Sequence, residues 1–247
     1  MLSWLPARPV RFPPVSHALR DPEGLLAAGG ELTPEWLLAA YRHGIFPWYS
    51  DDQPILWWCP NPRMVLFPDE LRIARSLGKR LRNGGLLVTF DRAFETVVRA
   101  CAAPRKGQPG TWITEEMHAA YVTLHRLGYA RSVEVWRGAE LVGGLYGVAM
   151  GPVFFGESMF SRASDASKVA LVHLVRAMRA GGGRLIDCQM HTRHLASLGA
   201  RDIARTEFIN YLESCLATPE HKDSQYPLPC WGLPDGPSRV EPLTALT

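Results

Sequence analysis

Apolar residues in the first half of the chain recur three and four positions apart, which is the spacing of amphipathic helices. One helix is predicted to begin at Thr33 and Pro34, a favourable N-cap and first helical position, and to end at Gly44. Two further helices are predicted over residues 69–83 and 114–127. The pattern therefore predicts three helices in this half of the chain.

The helix predicted over residues 69–83 also carries a row of basic side chains. Asp69 and Glu70 begin this helix, where acidic groups favour the positive end of the helix dipole, and Gly84 stops it. The basic residues recur mostly three and four positions apart: Arg72, Arg75, Lys79, Arg80 and Arg82. A solvated helix face is the ordinary interpretation of such a row, and a surface for a nucleic-acid backbone is the alternative.

From residue 131 onward the apolar period changes to the alternation that is typical of strands. Three alternating segments with glycine turns predict an antiparallel meander over residues 132–137, 141–150 and 153–160. A helix, a short strand and two more helices are predicted after it: residues 164–178, 184–190, 192–198 and 206–216. This order predicts an α/β domain on a mixed, mostly antiparallel sheet, and it resembles the acyltransferase fold of the GNAT superfamily.

Prolines and tryptophans concentrate before residue 62, which indicates a rigid aromatic surface rather than a flexible linker. We place a domain boundary near Pro62, so that residues 1–62 form a small N-terminal α/β domain and residues 63–218 form a GNAT-like catalytic domain. The tail, residues 219–247, is rich in proline and polar residues and is predicted to be extended and poorly packed.

Composition and charge exclude several classes of protein. Hydrophobic residues make up 47% and charged residues 21% of the 247 positions, which is typical of a folded globular chain. The formal net charge of +3 is too small to indicate nucleic-acid binding by itself. Five cysteines without a CxxC pair favour reduced thiols over a disulfide framework. Because the sequence shows neither a signal-peptide pattern nor an apolar run of roughly 20 residues, we expect a soluble, cytoplasmic protein without membrane contact.

The short strand at residues 184–190 carries the first candidate catalytic groups. Because side chains alternate along a strand, Asp187 and Gln189 project from one face, and Ile186 and Cys188 project from the other. Buried strands seldom carry a carboxylate and an amide side by side, since each must be hydrogen-bonded. The pair is therefore either catalytic or a structural pair that satisfies loop backbone groups.

Glu157 is the second candidate catalytic group. It ends an apolar strand and follows Gly156, and a glycine allows a ligand or another backbone to approach closely. The glutamate is therefore either exposed at the end of the strand or directed into a cleft.

A stripe of apolar residues on the helix predicted over residues 164–178 is a candidate pocket wall. Its members are spaced three and four apart: Leu171, Leu174 and Met178. A stripe of this kind is ordinarily core, and it becomes a pocket wall if it faces the apolar residues of the neighbouring strands. Those residues are Leu145, Phe154 and Ile186.

The sequence contains no recognisable metal or cofactor motif. Cys188, His191 and His194 lie close together, but their spacing is not that of a zinc finger and no HExxH helix is present. Acetyl-CoA is held through its pyrophosphate by a glycine-rich turn, and the segment from Phe160 to Asp165 contains no glycine. Neither a metal nor a cofactor is predicted.

Several short strings of residues, in a fixed order, resemble those of one known family. They are G-I-F-P-W at 44–48, W-W-x-P-x-P-R at 57–63, T-W-I-T at 111–114, S-V-E-V-W at 132–136, G-E-S-M-F-S-R at 156–162, A-S-K at 166–168, I-D-C-Q at 186–189 and A-S-L-G-A at 196–200. Together they resemble the leucyl/phenylalanyl-tRNA–protein transferases of bacteria. The resemblance covers roughly residues 10–216 and leaves the proline-rich tail outside.

This resemblance implies an activity and a set of partners. The family transfers Leu or Phe, and Met less well, from an aminoacyl-tRNA to the N-terminal Arg or Lys of a protein, which marks that protein for degradation. It pairs a small N-terminal domain with a GNAT-like domain and uses neither a metal nor CoA. A monomer is expected.

The resemblance also implies roles for individual residues. Asp187 and Gln189 match the proposed catalytic pair, and Glu157 matches a glutamate close to the aminoacyl ester. Trp48 and Trp112 match aromatic residues that contact the terminal adenosine of the tRNA. The aminoacyl pocket is expected to contain Leu145, Phe154, Gly156, Leu171, Leu174, Met178 and Ile186. Residues equivalent to Leu174 and Met178 can be aromatic in the family, which leaves the preference between Leu and Phe open.

Three alternatives remain open. An acyl-CoA-dependent N-acetyltransferase on the same fold requires the glycine turn that the sequence lacks. A non-catalytic tRNA-binding module built on the basic helix and the tryptophans requires no reactive groups. Aminoacyl transfer of the peptidoglycan type requires a lipid-linked or nucleotide acceptor.

Overall fold

A computed structural model describes residues 2–83, 85–104, 113–217 and 238–239 of the chain. The N-terminal residues form a four-stranded sheet in the order β1-β2-β4-β3, in which β1 and β2 are parallel. Its strands are β1 (Ser3–Leu5), β2 (Leu25–Gly29), β3 (Phe46–Pro47) and β4 (Leu56–Trp58). Helix α1 (Pro34–Arg42) begins as predicted, because the hydroxyl of Thr33 accepts a hydrogen bond from the backbone N–H of Trp36.

Part of the predicted aromatic surface is core. Trp57 is fully buried, stacks on Trp36 of α1 at 6.0 Å between ring centroids and donates its indole N–H to the carbonyl of Gly29 at 2.8 Å. Of Trp48, Trp57 and Trp58, Trp48 is the most exposed, at 38%. The proline-rich segment therefore folds because one of its tryptophans fills the N-terminal core.

The second sheet has eight strands in the order β11-β5-β10-β9-β8-β7-β6-β12. Strand β10 is parallel to β9, and the other pairs are antiparallel. The strands are β5 (Arg63–Leu66), β6 (Leu87–Phe90), β7 (Ala130–Arg137), β8 (Glu140–Met150), β9 (Val153–Ser161), β10 (Leu185–Gln189), β11 (Arg201–Ile203) and β12 (Ser238–Arg239). The predicted meander is β7, β8 and β9, and the predicted fold class, α/β with a mixed, mostly antiparallel sheet, is confirmed.

Helices cover both faces of this sheet. They are α2 (Arg75–Asn83), α3 (Phe94–Ala102), α4 (Glu115–Arg126), α5 (Ala166–Ala180), α6 (Arg193–Ala196) and α7 (Arg205–Leu216). One hydrophobic core joins α1, α3, α4 and α7 to the sheet, and the other joins α2 and α5 to the opposite face. Every helix in the described part of the chain is too short or too polar to cross a bilayer. The domain division at Pro62 stays a prediction, and the predicted tail, apart from β12, lies outside the described residues.

The helix predicted over residues 69–83 is wrong at its beginning. A short 3-10 turn spans Pro68–Glu70, and α2 begins only at Arg75. The backbone between them is held elsewhere, because the N–H of Arg72 donates to the carbonyl of Leu198 at 2.9 Å. Tertiary contact with the Leu198 loop therefore outweighs the local helical pattern.

The two acidic residues before α2 also have a different role from the one predicted. Asp69 forms an ion pair with Arg179 at 3.2 Å, and Glu70 forms one with Arg201 at 2.9 Å. They therefore neutralise basic residues of α5 and β11 instead of stabilising the start of α2.

Arg63 connects the two sheets and the C-terminal helix. Its side chain is 1% exposed and lies between the rings of Phe46 on β3 and Phe208 on α7, at 4.8 and 4.6 Å from their centroids. Its Nε and Nη2 donate to the two carboxylate oxygens of Asp187 on β10, at 2.8 and 2.6 Å. A bidentate, buried pair of this kind fixes both partners in position.

We expect Arg63→Met to destabilise the fold by about 3–5 kcal/mol, because it leaves the buried carboxylate of Asp187 without its countercharge. The measurement is the free energy of unfolding in urea. The matched control is Glu70→Gln, which breaks an ion pair between half-exposed side chains and should cost at most about 1 kcal/mol. Equal losses in the two variants would contradict this role of Arg63.

Candidate active site

A cavity of 990 Å³ lies where β8, β9 and β10 meet the beginning of α5 and the end of β3. A volume of this size suits a ligand the size of a small nucleotide. It contains most of the predicted site: Trp48, Leu145, Phe154, Gly156, Glu157, Leu171, Ile186, Asp187 and Gln189. An added Cβ on Gly156 would meet only the carbonyl of Asp187, at 3.4 Å, so this glycine leaves the cavity side open.

Leu174 and Met178 are the two predicted pocket residues that the structure does not bring to this cavity. Both are fully buried in the core between α5 and the sheet, while Leu171 lines the cavity. They lie about 4.5 and 10 Å farther along the helix than Leu171, at a rise of roughly 1.5 Å per residue. Met178 packs instead against Gly183, where an added Cβ would lie 2.6 Å from the Met178 Cβ.

Glu157 is directed into the protein by an irregularity of β9. Tyr146 of β8 pairs with Ser158 and the next residue, Gly147, pairs with Gly156, so Glu157 is the extra residue of a β-bulge. A side chain at Gly147 is impossible there, because its Cβ would lie 2.1 Å from the carbonyl of Phe155. The bulge therefore directs Glu157 toward α1 and α4.

Glu157 is 8% exposed, and its carboxyl group accepts hydrogen bonds from three side chains in the part of the chain that the structure describes. Tyr41 of α1 donates at 2.8 Å, Tyr121 of α4 at 2.6 Å and the amide of Gln189 at 2.9 Å. The hydroxyls of Tyr41 and Tyr121 also contact each other at 2.7 Å. The two tyrosine protons are thus shared among three contacts, two with the carboxyl group and one between the hydroxyls.

Burial raises the pKa of Glu157 from its ordinary value of 4.5 to about 7, against the lowering effect of its hydrogen bonds with Tyr121, Tyr41 and Gln189. A carboxyl group with this pKa exchanges its proton near neutral pH. That property suits a general acid or base.

Asp187 has a different environment from Glu157. It is fully buried, and its two oxygens accept from Arg63 and, at 2.9 Å, from the backbone N–H of Gln189. The side chains of Ile186 and Cys188 contact the other core, as strand alternation predicts. Asp187 thus fulfils the structural alternative, because it satisfies a backbone group, and it also holds a second candidate residue in place.

Gln189 adopts a conformation that few non-glycine residues adopt. Its φ is 62°, and the register between β10 and β5 shifts between Asp187 and Gln189. A left-handed residue of this kind costs free energy and persists only where its surroundings determine it. Here the hydrogen bond from its backbone to Asp187 fixes the backbone, and the side-chain amide then meets Glu157.

Trp48 lies at the mouth of the cavity, and its ring is 38% exposed. Trp58 packs edge-on against it at 5.5 Å and donates its indole N–H to the backbone carbonyl of Trp48 at 2.7 Å. A fixed, exposed indole face can stack on a nucleobase. Trp112, the other predicted adenosine contact, lies outside the described residues.

The predicted basic row is only partly a helix face. Arg72 precedes α2, whereas the other four residues lie on it: Arg75, Lys79, Arg80 and Arg82. Arg75, Lys79 and Arg82 are exposed and Arg80 is partly buried. Among the residues that the structure describes, none of the five forms an ion pair with a carboxylate. These charges are therefore available to an anionic partner.

Arg63, Tyr41 and Tyr121 belong to the site but were not predicted as site residues. Tyr41 lies on the buried face of α1, and its hydroxyl is what distinguishes it from an ordinary core residue. Arg63 ends the string W-W-x-P-x-P-R and is the first residue of the apolar strand β5, and an arginine in a buried strand needs an anionic partner.

Comparison with known proteins identifies the family. The leucyl/phenylalanyl-tRNA protein transferase family matches residues 65–213, and the N-terminal domain of the same family matches residues 30–61. The chain belongs to this family. It is an aminoacyltransferase.

Relatives in the leucyl/phenylalanyl-tRNA protein transferase family are similar over most of their length. A protein of this name from Chromohalobacter salexigens is 68% identical over 89% of this chain and 86% of its own. Those from Stutzerimonas stutzeri and Pseudomonas aeruginosa are 60% and 62% identical and cover 99% and 94% of their own chains. A solved structure, a GCN5-related N-acetyltransferase from Kribbella flavida, matches 69% of this chain and 61% of its own chain, with a TM-score of 0.36 and 13% identity.

We expect the raised pKa of Glu157 to appear in the pH dependence of stability. Because the folded-state pKa lies above the ordinary 4.5, protonation of Glu157 stabilises the fold, and this contribution is lost as the pH rises to about 7. The loss should be roughly 3 kcal/mol, from about 1.4 kcal/mol per pKa unit. Glu157→Gln should remove it when urea unfolding is compared between pH 4.5 and 8.

Glu140→Gln is the control for this experiment, because it removes an exposed carboxylate at the start of β8. Its stability should follow that of the wild type at every pH. A Glu157→Gln variant with the wild-type pH dependence would show that Glu157 titrates normally.

Proposed function

We propose that this aminoacyltransferase moves Leu or Phe, and Met less well, from an aminoacyl-tRNA to the N-terminal Arg or Lys of a protein. The observation that carries the proposal is the position of Glu157, a buried carboxyl group with a pKa of about 7 beside an apolar pocket and an exposed tryptophan. The new N-terminal Leu or Phe marks the protein for degradation, and the reaction takes place in the cytoplasm.

The chemistry requires orientation and a proton acceptor more than a strong nucleophile. The donor is an ester, and the acceptor is an α-amine with an ordinary pKa of about 8, so a good fraction is already neutral. The amine nitrogen bonds to the ester carbonyl carbon, the bond to the 3′ oxygen of the tRNA breaks, and the amine loses a proton. Aligning the two reactants can supply on the order of 7–11 kcal/mol.

Glu157 is the group in this proposal that receives the proton of the amine. Its pKa near neutrality matches that of a general base, and its position on the cavity supports a role beside the donor ester. The proton then passes to the 3′ oxygen that leaves. The tyrosines Tyr41 and Tyr121 hold the carboxyl group in one orientation throughout.

Asp187 and Gln189 have supporting roles in this mechanism. The amide of Gln189 holds Glu157 and leaves its carbonyl oxygen for the amine of the acceptor. Asp187 acts through the backbone of Gln189, because both of its oxygens are engaged with Arg63 and Gln189 itself. Asp187 is therefore a positioning residue in this mechanism.

The remaining surfaces bind the donor. The aminoacyl side chain fits the apolar wall of the cavity, which comprises Leu145, Phe154, Leu171 and Ile186. The terminal adenosine stacks on Trp48, a contact worth roughly 1–3 kcal/mol. The exposed basic residues of α2 contact the phosphate backbone of the tRNA, which carries no amino-acid identity. One surface therefore serves several tRNAs.

The test of this function is transfer of labelled Leu from Leu-tRNA to peptides that differ only in their first residue. Peptides that begin with Arg or Lys should be labelled, whereas those that begin with Asp or Ala, or with an acetylated Arg, should not. The acetylated peptide controls for the amine, because it keeps the cationic side chain. Equal labelling of all the free termini would contradict the proposed specificity.

Leu171→Ala should change the preference between Leu and Phe donors. Removing part of the wall enlarges the pocket, and a change of one methylene alters discrimination by about 1–3 kcal/mol, or 10–200-fold. The measurement is the ratio of single-turnover rates with Phe-tRNA and Leu-tRNA, which should shift toward Phe.

Leu174→Ala is the matched control, because it shortens the same type of side chain three residues farther along α5, away from the cavity. It should cost stability, about 2–5 kcal/mol for a buried leucine, and leave the donor ratio unchanged. If Leu174→Ala shifted the ratio and Leu171→Ala did not, the assignment of the wall would be wrong.

A further inference from the structure

The hydroxyl of Tyr146 is a buried polar group that the mechanism above does not use. Tyr146 is 1% exposed, belongs to β8 and lines the same cavity as Glu157. Its oxygen has no hydrogen-bond partner among the residues that the structure describes. Buried hydroxyls nearly always have a partner, so an unsatisfied one beside a ligand cavity calls for an explanation.

The neighbouring tyrosines show how unusual this is. The hydroxyls of Tyr41 and Tyr121 are both engaged, with Glu157 and with each other. The ring of Tyr146 packs edge-on against Tyr121 at 5.4 Å and against Phe94 at 5.9 Å, so its orientation is fixed. The fixed ring keeps the hydroxyl from reaching another hydrogen-bond partner in the protein, so we look for its partner in a ligand bound in the cavity.

The position of Tyr146 relates it to the reacting groups. It pairs with Ser158, the residue after the bulged Glu157, and it follows Leu145 of the apolar wall. The bulge therefore brings its ring and the Glu157 side chain to the same side of the sheet. In the proposed mechanism the aminoacyl side chain of the ester lies against the apolar wall, and the attacking amine lies beside Glu157. The carbonyl group of the ester then lies between the apolar wall and Glu157.

The chemical character of the hydroxyl also fits a donor. Burial raises the pKa of Tyr146 well above its ordinary value of 10.0, and the nearby Glu157 raises it further. The phenol consequently keeps its proton at neutral pH and can donate one hydrogen bond. When an amine adds to an ester, negative charge develops on the carbonyl oxygen, and a hydrogen-bond donor already fixed beside that oxygen stabilises the charge.

We propose that the hydroxyl of Tyr146 donates a hydrogen bond to the carbonyl oxygen of the aminoacyl ester and stabilises the oxyanion of the tetrahedral intermediate. The amine lone pair forms the new C–N bond, and the carbonyl π electrons move to the oxygen that Tyr146 contacts. They return as the bond to the 3′ oxygen breaks, and Glu157 carries the amine proton to that oxygen. Tyr146 gives up no proton in the cycle. This inference rests on the proposed transfer from aminoacyl-tRNA.

The test is Tyr146→Phe, which removes only the hydroxyl. Single-turnover transfer from Leu-tRNA to an Arg peptide should fall by about 10²–10³-fold, the effect of losing one oxyanion donor. Binding of a Leu-tRNA analogue with an amide in place of the ester should be unchanged, because the hydrogen bond strengthens only as charge develops. The melting temperature should not fall, because the hydroxyl has no partner to lose.

Tyr211→Phe is the matched control, since it removes a phenol hydroxyl on α7, outside the residues that line the cavity. It should transfer at the wild-type rate. Substitution of Tyr146 by 3-fluorotyrosine, whose hydroxyl is more acidic, should keep or increase the transfer rate.

Three outcomes overturn the proposal. A Tyr146→Phe variant with the wild-type transfer rate shows that the hydroxyl does not act on the ester. A lower melting temperature with a normal rate per folded molecule shows that its role is structural. A loss of rate matched by an equal loss of analogue binding shows that it contacts the ground state only. If the wild-type protein itself gives no transfer, the proposed function fails, and this inference fails with it.

Discussion

The ion pair between Arg63 and Asp187 is the constraint on which the candidate site depends. Two opposite charges taken out of water are stable only when their geometry is close, and here two aromatic rings enclose the guanidinium to secure it. Asp187 in turn holds the backbone of Gln189, and the amide of Gln189 reaches Glu157. The position of Arg63 on β5 therefore determines, through Asp187 and Gln189, the position of the Glu157 carboxyl group at the cavity.

The two carboxyl groups of the site have opposite surroundings. Asp187 faces a guanidinium, so its negative charge is balanced inside the protein. Among the residues that the structure describes, Glu157 has no cation as a hydrogen-bond partner, and burial raises its pKa to about 7. A pKa near neutrality allows Glu157 to exchange a proton, whereas both oxygens of Asp187 are engaged with Arg63.

The cavity lies where the sheet departs from regular geometry. The bulge at Glu157 and the left-handed conformation of Gln189 occur on adjacent strands, β9 and β10, that run parallel to each other. Bulges and residues in rare conformations are common beside active sites because they redirect side chains that regular strands would place elsewhere. In this fold they direct both side chains to one point, and Gly147 leaves the room that the bulge requires.

The sequence by itself determined the helices that have strong N-caps, the meander of β7, β8 and β9, and the common face of Asp187 and Gln189. Each of these features depends on residues that are close together in sequence. The same pattern placed the beginning of α2 too early, because a backbone hydrogen bond to a distant loop leaves no periodic signal in the sequence. It also assigned Leu174 and Met178 to the pocket, because the periodicity of α5 does not show where along the helix the cavity ends. Tyr41 and Arg63 meet their partners across 116 and 124 residues of sequence. Contacts over such separations form only when the sheets pack against each other. The tertiary structure alone therefore decided that Asp187 is paired with a guanidinium group and that Glu157 can exchange a proton.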